Sequence, residues 1–297
     1  MHVFVAGATG AVGRLLLPLL VADGHRVTAL TRGESGAAAV LAAGGTPVVG
    51  DVYDAAGLAG VLRAASPDVV MHQLTDLSRG DLAANARIRT VGTRNLVDAA
   101  LASGVRRIVA QSISWAYEAG PDPAREDTPL DTAAPEPRGT SVAGVAALES
   151  AVRELPEWVV LRYGLLYGPG TWYTRYGLTA ERARAGELAA DADVTSFVHV
   201  ADAARAAALA LAWPSGTTAN VVDDEPAAAR EWVPVFCDAV GAPQPVERVT
   251  ERVTGTSAGT SAGARTGWAR GADNSYARKE LGWEPEYASW RTGFRTL

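Results

Sequence analysis

The chain has 297 residues, enough for one large domain or two closely packed ones with a sizeable core. Hydrophobic residues make up 48% and charged residues 20% of it, and its net charge of −6 gives no support for nucleic acid or an anionic membrane as a partner. Cys237 is the only cysteine, which excludes an intrachain disulfide. No Cys, His or Asp cluster has metal-ligand spacing, so we expect no metal site.

We expect a cytoplasmic protein that is not bound to a membrane. Met1 leads directly into an apolar segment with no basic region ahead of it and no cleavage site. The apolar run "LLLPLLVA" near the start is too short to span a bilayer.

Short apolar runs alternate with alanine- and leucine-rich stretches through the first half of the chain. Strands are predicted at "HVFVAG", "RVTAL", "TPVVGD", "DVVMHQL" and "RRIVAQS", with helices between them, the longest over residues 81–103. Strands that alternate with helices indicate parallel pairing with right-handed crossovers. The predicted fold class is therefore α/β, a Rossmann-type doubly wound parallel sheet.

The second half begins with a loop rich in Pro, Asp and Glu over residues 119–138. A helix is predicted over residues 142–154, followed by one apolar strand at "WVVLRYGLLYG". A short strand and a helix follow at "FVHVADAARAAALALAW", and another strand at "TANVVDD". The low-complexity repeat "GTSAGTSAG", residues 255–263, is expected to form a loop.

A glycine-rich turn, "GATGAVG", follows the first predicted strand and opens the first helix. Glycines there allow a tight turn and a close approach of the backbone to a pyrophosphate, while the helix N-terminus supplies amide donors and a partial positive charge. The spacing is GxxGxxG, and its position in an alternating α/β chain favours dinucleotide binding over a turn needed only for packing. The predicted cofactor site includes Gly7, Thr9, Gly10, Ala11, Val12 and Gly13.

The end of the second strand, "ALTRGES", bears on which dinucleotide binds. Sites that prefer NAD place an acidic residue there to hold the ribose 2′-hydroxyl, whereas an arginine favours the 2′-phosphate of NADP. This chain has Thr31 and Arg32 at that position, with Glu34 two residues later. We therefore expect NADP(H), with Arg32 on the 2′-phosphate; the alternative is that Arg32 is a solvated charge at a strand end.

Six segments together identify a family resemblance: "GATGAVG", "GDVYD", "GTRNLVDAALASGVRRIV", "LRYGLLYGPG", "SFVHVADAARAAALAL" and "NSYARKELGWEP". Through them the chain resembles, over its full length, an extended short-chain dehydrogenase/reductase of the NAD-dependent epimerase/dehydratase type. The resemblance implies that Asp51 and Val52 flank the adenine, and that Leu74 and Thr75 lie along the nicotinamide-ribose side.

We predict two parts of the chain with different roles. Residues 1–167, with residues 198–224 returning to them, are assigned to an NADP-binding Rossmann domain. Residues 168–197 and 225–297 are assigned to a smaller, C-terminal substrate-binding subdomain.

The chain departs from the family at the catalytic residues. The resemblance implies a Ser or Thr after the fifth strand and a Tyr-x-x-x-Lys on the next long helix, where the lysine holds the ribose and depresses the pKa of the tyrosine. The aligned positions hold Ile113, Ser141 and Val145, and Lys279 is the only lysine in the chain. This puts the acid–base mechanism in doubt but not the cofactor site, because hydride chemistry belongs to the cofactor.

Other residues are candidates for catalysis and substrate binding. Ser112 and Ser114 lie at the carboxyl end of the fifth strand, where open α/β sheets bind ligands, and Tyr117 follows; each is a candidate proton donor or a structural hydroxyl. Aromatic residues on loops leaving two strands either bind a flat apolar substrate or seal these loops to the body. The predicted substrate residues are Trp115, Tyr167, Trp172, Tyr173 and Tyr176.

The sequence favours an NADPH-dependent ketoreductase that reduces a small, aromatic or polycyclic carbonyl compound of secondary metabolism, such as antibiotic biosynthesis, without the usual triad. One alternative is a sugar-nucleotide epimerase or dehydratase with a rebuilt acid–base pair. Another is a non-catalytic protein that senses NADP(H). Substrate identity, stereochemistry and oligomeric state are left open.

Overall fold

The structure, a computed structural model, describes residues 1–77, 80–245 and 270–297. The repeat predicted as a loop at residues 255–263 lies outside the described residues. The strands, in chain order, are β1 (His2–Ala6), β2 (Arg26–Thr31), β3 (Thr46–Val49), β4 (Val69–His72), β5 (Arg107–Ile113), β6 (Glu157–Tyr163), β7 (Leu165–Tyr167), β8 (Val194–Thr195), β9 (Phe197–His199), β10 (Thr217–Val221) and β11 (Ala227–Ala228).

Helices connect and cover these strands. They are α1 (Gly13–Ala22), α2 (Glu34–Ala42), α3 (Ala55–Ala65), α4 (Leu82–Arg87), α5 (Thr93–Ala102), α6 (Arg138–Val152), α7 (Leu178–Arg184), α8 (Val200–Leu209), α9 (Ala229–Val240), α10 (Ser275–Glu280) and α11 (Trp290–Gly293). A π-helical segment, Ile88–Gly92, joins α4 to α5, and a 3₁₀ turn, Phe294–Thr296, follows α11. No described helix combines the length and apolar character that crossing a bilayer requires.

Seven parallel strands form the central sheet in the order β3-β2-β1-β4-β5-β6-β10. Its central strands are buried on both faces, as parallel sheets require. One face packs against α1 and α8, and α3, α5 and α6 belong to the layer on the other face. The predicted fold class, a Rossmann-type doubly wound sheet, is confirmed.

The structure differs from the sequence prediction at three elements. The helix predicted over residues 81–103 is interrupted by the π-helical segment, and α6 begins at Arg138 rather than at residue 142. The single strand predicted at "WVVLRYGLLYG" is two strands that separate at Gly164. A Cβ at Gly164 would lie 2.7 Å from the main-chain oxygen of Ser196, so β7 leaves the main sheet where two backbones pass closely and pairs with β9.

Aromatic side chains fill a second, smaller core beyond the end of the sheet. Phe197 contacts the rings of Tyr167, Trp232, Trp290 and Phe294 edge to face or at a tilt, with ring centroids 5.2–6.4 Å apart. Such contacts add to the stabilisation from burial itself. The buried aromatic members of this core are Tyr167, Phe197, Trp232, Phe236, Trp290 and Phe294. Most of them belong to the parts assigned to the substrate-binding subdomain, whose boundaries stay a prediction.

Candidate active site

The glycine turn between β1 and α1 is shaped by close backbone contacts. Gly7 has a φ of +98°, and a Cβ there would lie 2.3 Å from the carbonyl oxygen of Gln73. A Cβ at Gly13 would lie 2.1 Å from the carbonyl oxygen of Gly7. Gly10 is exposed, and its Cβ would meet only that same carbonyl, at 3.3 Å. The turn is therefore closed toward the protein and open outward at the start of α1, which fits a bound pyrophosphate.

The other members of the predicted turn differ in exposure. Thr9 is exposed, Ala11 is half-buried, and Val12 is buried in the core against the sheet. Thr9 is therefore accessible to a ligand through its side chain, whereas Val12 anchors the start of α1.

The residues predicted near the adenosine lie close together beyond β2 and β3. Arg32 and Asp51 are exposed, and the Asp51 carboxylate accepts a hydrogen bond from the Tyr53 amide at 2.9 Å. Burial raises the pKa of Tyr53, and the charges of both Asp51 and Arg32 act on its hydroxyl, which places these side chains in one neighbourhood. The Val52 side chain is buried, and its carbonyl accepts a hydrogen bond from Asn95 at 2.9 Å.

Leu74 and Thr75, predicted beside the nicotinamide ribose, follow β4. The Leu74 amide donates to Nδ1 of His72 at 3.3 Å, and the Leu74 carbonyl accepts from Gln111 at 3.0 Å, while Thr75 is exposed. His72 is fully buried with Nε2 2.8 Å from the Thr93 hydroxyl, and burial lowers its pKa to about 4. His72 is therefore neutral near pH 7 and fixes the backbone after β4.

A cavity of about 630 Å³ opens at the carboxyl edge of the sheet, beyond the end of β5. It lies between the sheet and the aromatic core, and its wall comes from distant parts of the chain. Residues after β5, at the start of α6 and in the second half all contribute, among them Ser114, Trp115, Tyr117, Arg138, Ser141, Tyr173, Asp191, Trp232 and Arg270.

Ser112 faces away from this cavity. Its hydroxyl donates a hydrogen bond to the carboxylate of Glu149 at 2.8 Å, and both residues are buried. The same carboxylate accepts two hydrogen bonds from Arg162, at 2.9 and 2.8 Å, and one from Arg153 at 2.9 Å. Ser112 is thus part of a buried charge network under the end of β5.

Tyr117 lines the cavity with its ring but directs its hydroxyl elsewhere. The hydroxyl donates to the side-chain oxygen of Asn220 at 2.5 Å, and the guanidinium of Arg162 lies 4.7 Å from the ring centroid. Burial raises the pKa of Tyr117 to about 12. This environment makes the phenol a weaker acid than a free tyrosine.

Ser114 and Ser141 place hydroxyl-bearing side chains on the cavity wall. Both are buried, and neither side chain forms a hydrogen bond with another residue in the described ranges. Ser141 stands where the family resemblance places the tyrosine. Val145, at the position of the lysine, is buried in a small apolar cluster with Ala116. The site therefore offers small hydroxyls and no ammonium group at these positions.

The five aromatic residues predicted to bind substrate are not brought together. Trp115 and Tyr173 line the cavity. Tyr167 is buried in the aromatic core, and the indole of Trp172 donates to a main-chain carbonyl after β4 at 3.0 Å. Tyr176 is 81% exposed.

Several charged and aromatic residues of the cavity wall are not among those predicted from the sequence. Arg138 forms an ion pair with Asp131 at the start of α6. The guanidinium of Arg270 donates only to main-chain carbonyls of residues 118, 119 and 122, and no carboxylate of the described chain lies within 4 Å of it. Trp232 reaches the cavity from α9. No local pattern signals these positions, because each reaches the cavity only through tertiary packing.

Comparison with known proteins finds chains that are similar to this one over nearly its full length. The model of the NAD dependent epimerase/dehydratase family matches residues 3–222. A 3-diazoavenalumate denitrifying reductase from Streptomyces sp is 44% identical over 99% of each chain. A UDP-glucose 4-epimerase from Mycolicibacterium smegmatis is 30% identical, over 97% of this chain and 95% of that protein.

Solved structures of the same family have a similar fold. The Thermus thermophilus UDP-glucose 4-epimerase in complex with NAD has a TM-score of 0.73 and 26% sequence identity, over 99% of this chain and 97% of that chain. The family resemblance seen in the six sequence segments is confirmed.

Proposed function

The chain belongs to the NAD-dependent epimerase/dehydratase family, and we propose that it acts as an NADPH-dependent reductase of a small aromatic acid. It is an enzyme of the NAD(P)-dependent class. The observation that carries the proposal is the composition of the cavity wall. Aromatic rings and serine hydroxyls line it, and the positions of the usual tyrosine and lysine hold Ser141 and Val145. Such a site suits an acceptor that takes a hydride without needing a strong protein acid.

An aromatic diazonium compound is such an acceptor. The name of the 44% identical relative describes a reductase that removes nitrogen from a diazo compound. When hydride is added to the carbon that bears the diazonium group, a C–H bond forms, the C–N bond breaks, and the bonding electron pair leaves with N₂. NADPH, held at the glycine turn, would supply this hydride and leave as NADP⁺. The exchange is balanced without any proton, so it does not need the proton transfer that the tyrosine and lysine provide in the family.

The residues of this chain would then position the substrate rather than protonate it. Trp115, Tyr173 and Trp232 offer ring faces and edges to a flat aromatic compound. Arg270 offers a guanidinium without a carboxylate partner among the described residues, which suits the carboxylate of an aromatic acid. Holding the acceptor carbon in line with the cofactor accounts for a large part of such a rate enhancement.

A ketoreductase is the second candidate, favoured by the hydroxyls of Ser114 and Ser141 in the cavity wall. Reduction of a ketone forms an alkoxide that must take up one proton, and these hydroxyls or water would have to provide it. Epimerisation and dehydration need repeated proton transfers, so the absence of the tyrosine and lysine counts more heavily against them. The non-catalytic alternative is not retained, because the chain is an enzyme.

The preference for NADPH is part of the proposal. Arg32 stands exposed directly after β2, and Glu34 is the first residue of α2 rather than the last of the strand. This arrangement favours a 2′-phosphate over a free ribose 2′-hydroxyl.

Turnover with two matched acceptors tests the function. Purified protein is mixed with NADPH or NADH and an aromatic diazonium carboxylate, or with the ketone of similar shape, and cofactor oxidation and N₂ release are followed against mixtures without enzyme. We expect faster oxidation of NADPH than of NADH, with N₂ release and transfer of deuterium from 4-deuterated NADPH to the ring carbon. Oxidation with neither acceptor would overturn the proposal.

Serine variants separate the two candidates. Replacing both Ser114 and Ser141 by alanine removes the two serine hydroxyls that face the cavity without a hydrogen-bond partner among the described residues. Diazonium reduction is expected to keep its rate in this double variant, because it consumes no proton. If only the ketone is reduced by the wild type, and the double variant loses about 10²-fold or more of that rate, the enzyme is a ketoreductase with serine as donor.

A further inference from the structure

Arg89 is a buried arginine without a counter-charge. Its side chain lies in the π-helical segment and the residue is 5% exposed. Within the part of the chain that the structure describes, no carboxylate lies within 4 Å of its guanidinium and no group accepts a hydrogen bond from it. Burial lowers its pKa to about 10, so it stays protonated near pH 7. An unpaired buried cation is strongly destabilising, which indicates that a ligand compensates it.

The neighbours of Arg89 on the helix show which surface it faces. One turn earlier, the side chain of Asn85 accepts a hydrogen bond from the Asp76 amide at 3.0 Å. One turn later, the hydroxyl of Thr93 is hydrogen-bonded to His72 at 2.8 Å. One end of this helical face thus holds the segment that follows β4, the other end holds the last residue of β4, and Arg89 lies between them. Its charge acts on His72, where it adds to the lowering of the pKa that burial causes.

That segment contains Leu74 and Thr75, the residues predicted beside the nicotinamide ribose. The amide and the carbonyl of Leu74 already form hydrogen bonds within the protein, with His72 and Gln111. The guanidinium of Arg89 therefore offers N–H donors that have no acceptor among the described residues, next to the segment predicted to contact the nicotinamide ribose. π-helical segments such as Ile88–Gly92 are rare and recur at functional sites.

The helix that lacks the family's lysine packs directly beside Arg89. α6 runs along α4 and the π-helical segment. A Cβ at Gly144 of α6 would lie 3.3 Å from the Cα of Ala86, so the two backbones are close at this point. Val145 follows Gly144 and occupies the position of the lysine, and Arg89 follows Ala86 by about one turn. The π-helical segment that carries the buried cation thus packs against the helix that lacks the lysine.

We propose that Arg89 supplies the positive charge and the N–H donors at the nicotinamide end of the cofactor site, in place of the absent lysine. It binds the nicotinamide half of the dinucleotide, through the ribose hydroxyls and the adjoining phosphate. A guanidinium offers five donors in a planar arrangement and keeps its charge when buried better than an ammonium does. This assignment rests on the cofactor of the proposed function, not on its substrate.

Calorimetry with two ligands tests it in the Arg89→Met variant. NADP⁺ contains the nicotinamide half, whereas 2′,5′-ADP contains only the adenosine half. The affinity for NADP⁺ is expected to fall by about 10–100-fold, the loss of a charged hydrogen-bonding group, and the affinity for 2′,5′-ADP by less than about 2-fold. Arg89→Lys, which keeps a cation, should recover part of the NADP⁺ affinity. Arg94→Met, a half-exposed residue of α5, serves as control and should change neither affinity.

The thermal stability of the apoprotein supplies a second readout. Removing an unpaired buried charge should leave the Tm of Arg89→Met equal to or above that of the wild type. An equal loss of affinity for both ligands, no loss for either, or an Arg89→Met protein that does not fold would overturn the assignment. If the wild type itself binds neither NADP⁺ nor 2′,5′-ADP, the proposed function fails as well.

Discussion

Glu149 shows how a single buried residue contributes to the pH dependence of stability. It is fully buried, with Ser112, Arg153 and Arg162 bonded to its carboxylate. Burial acts to raise its pKa, but the hydrogen bonds and charge of Arg162 outweigh this effect, and the pKa is lowered from 4.5. Because the folded pKa is below the unfolded one, the carboxylate stabilises the protein above pH 4.5, and this contribution is lost as the pH falls through the lowered pKa.

Glu149→Gln is therefore expected to lower the free energy of unfolding by about 3–5 kcal/mol at pH 7, because Arg162 would be left buried without its carboxylate. The difference from wild type should shrink as the pH falls below 4.5. Urea denaturation at a series of pH values measures both effects. Glu154→Gln, which breaks an exposed pair with Arg94, should cost no more than about 1 kcal/mol. Equal losses in the two variants would contradict the argument.

For single residues, the sequence predicts the position of a side chain along a strand better than the direction in which that side chain points. It places Ser112 and Ser114 at the end of β5, and the structure has both there. Only one of them lines the cavity, because Ser112 meets the Glu149 carboxylate on α6, more than 30 residues away in the chain. No local pattern in "QSIS" contains that information.

Among the elements, the β1–turn–α1 unit is the one that sequence reasoning predicts best. Its requirements are local, because Gly7 has a positive φ and Gly13 has a backbone neighbour too close for a Cβ. Both positions therefore favour glycine over any other residue. The long helix after β4 is the opposite case. Its apolar pattern predicts a continuous helix over residues 81–103, but the structure has a π-helical segment at Ile88–Gly92. This segment packs against α6 and the segment after β4, and no local sequence pattern signals it.

Two glycine variants test this view of the turn. Gly13→Ala would place a methyl group 2.1 Å from one backbone oxygen and 2.7 Å from the Cα of Ala8, so α1 must shift. We expect a loss of about 1–3 kcal/mol or more in unfolding free energy, together with weaker NADP⁺ binding. Gly60→Ala in the exposed part of α3, where a Cβ meets nothing within 4 Å, should stabilise by about 0.5–1 kcal/mol. Thermal denaturation with and without NADP⁺ distinguishes them, and a tolerated Gly13→Ala would contradict this account.

At the scale of the whole molecule, the cavity wall joins residues that are far apart in the chain. Trp115 and Arg270 are separated by more than 150 residues, yet both line it. The sequence predicts the aromatic loops because they follow strands, but Tyr167 packs into the aromatic core instead and Tyr176 stays exposed. Which loop residues turn inward depends on how the aromatic core docks on the sheet, and that is set by long-range contacts.

The charges of this wall predict how the enzyme selects an acidic substrate. Arg182 also lines the cavity, but Glu187 lies 3.5 Å from its guanidinium, whereas the described partners of Arg270 are all main-chain carbonyls. Arg270→Met should therefore raise KM for an aromatic carboxylate by about 10–100-fold and leave KM for the corresponding amide nearly unchanged, because only the acid loses a charged hydrogen bond.

Steady-state kinetics with the acid and its amide measures this difference, and Arg182→Met serves as the control because its charge is already paired. The value of kcat should change little in either variant, since Arg270 binds the substrate equally in the ground state and the transition state. An equal rise in KM for the acid and the amide would mean that Arg270 shapes the wall through its hydrogen bonds to residues 118, 119 and 122 and does not bind the carboxylate.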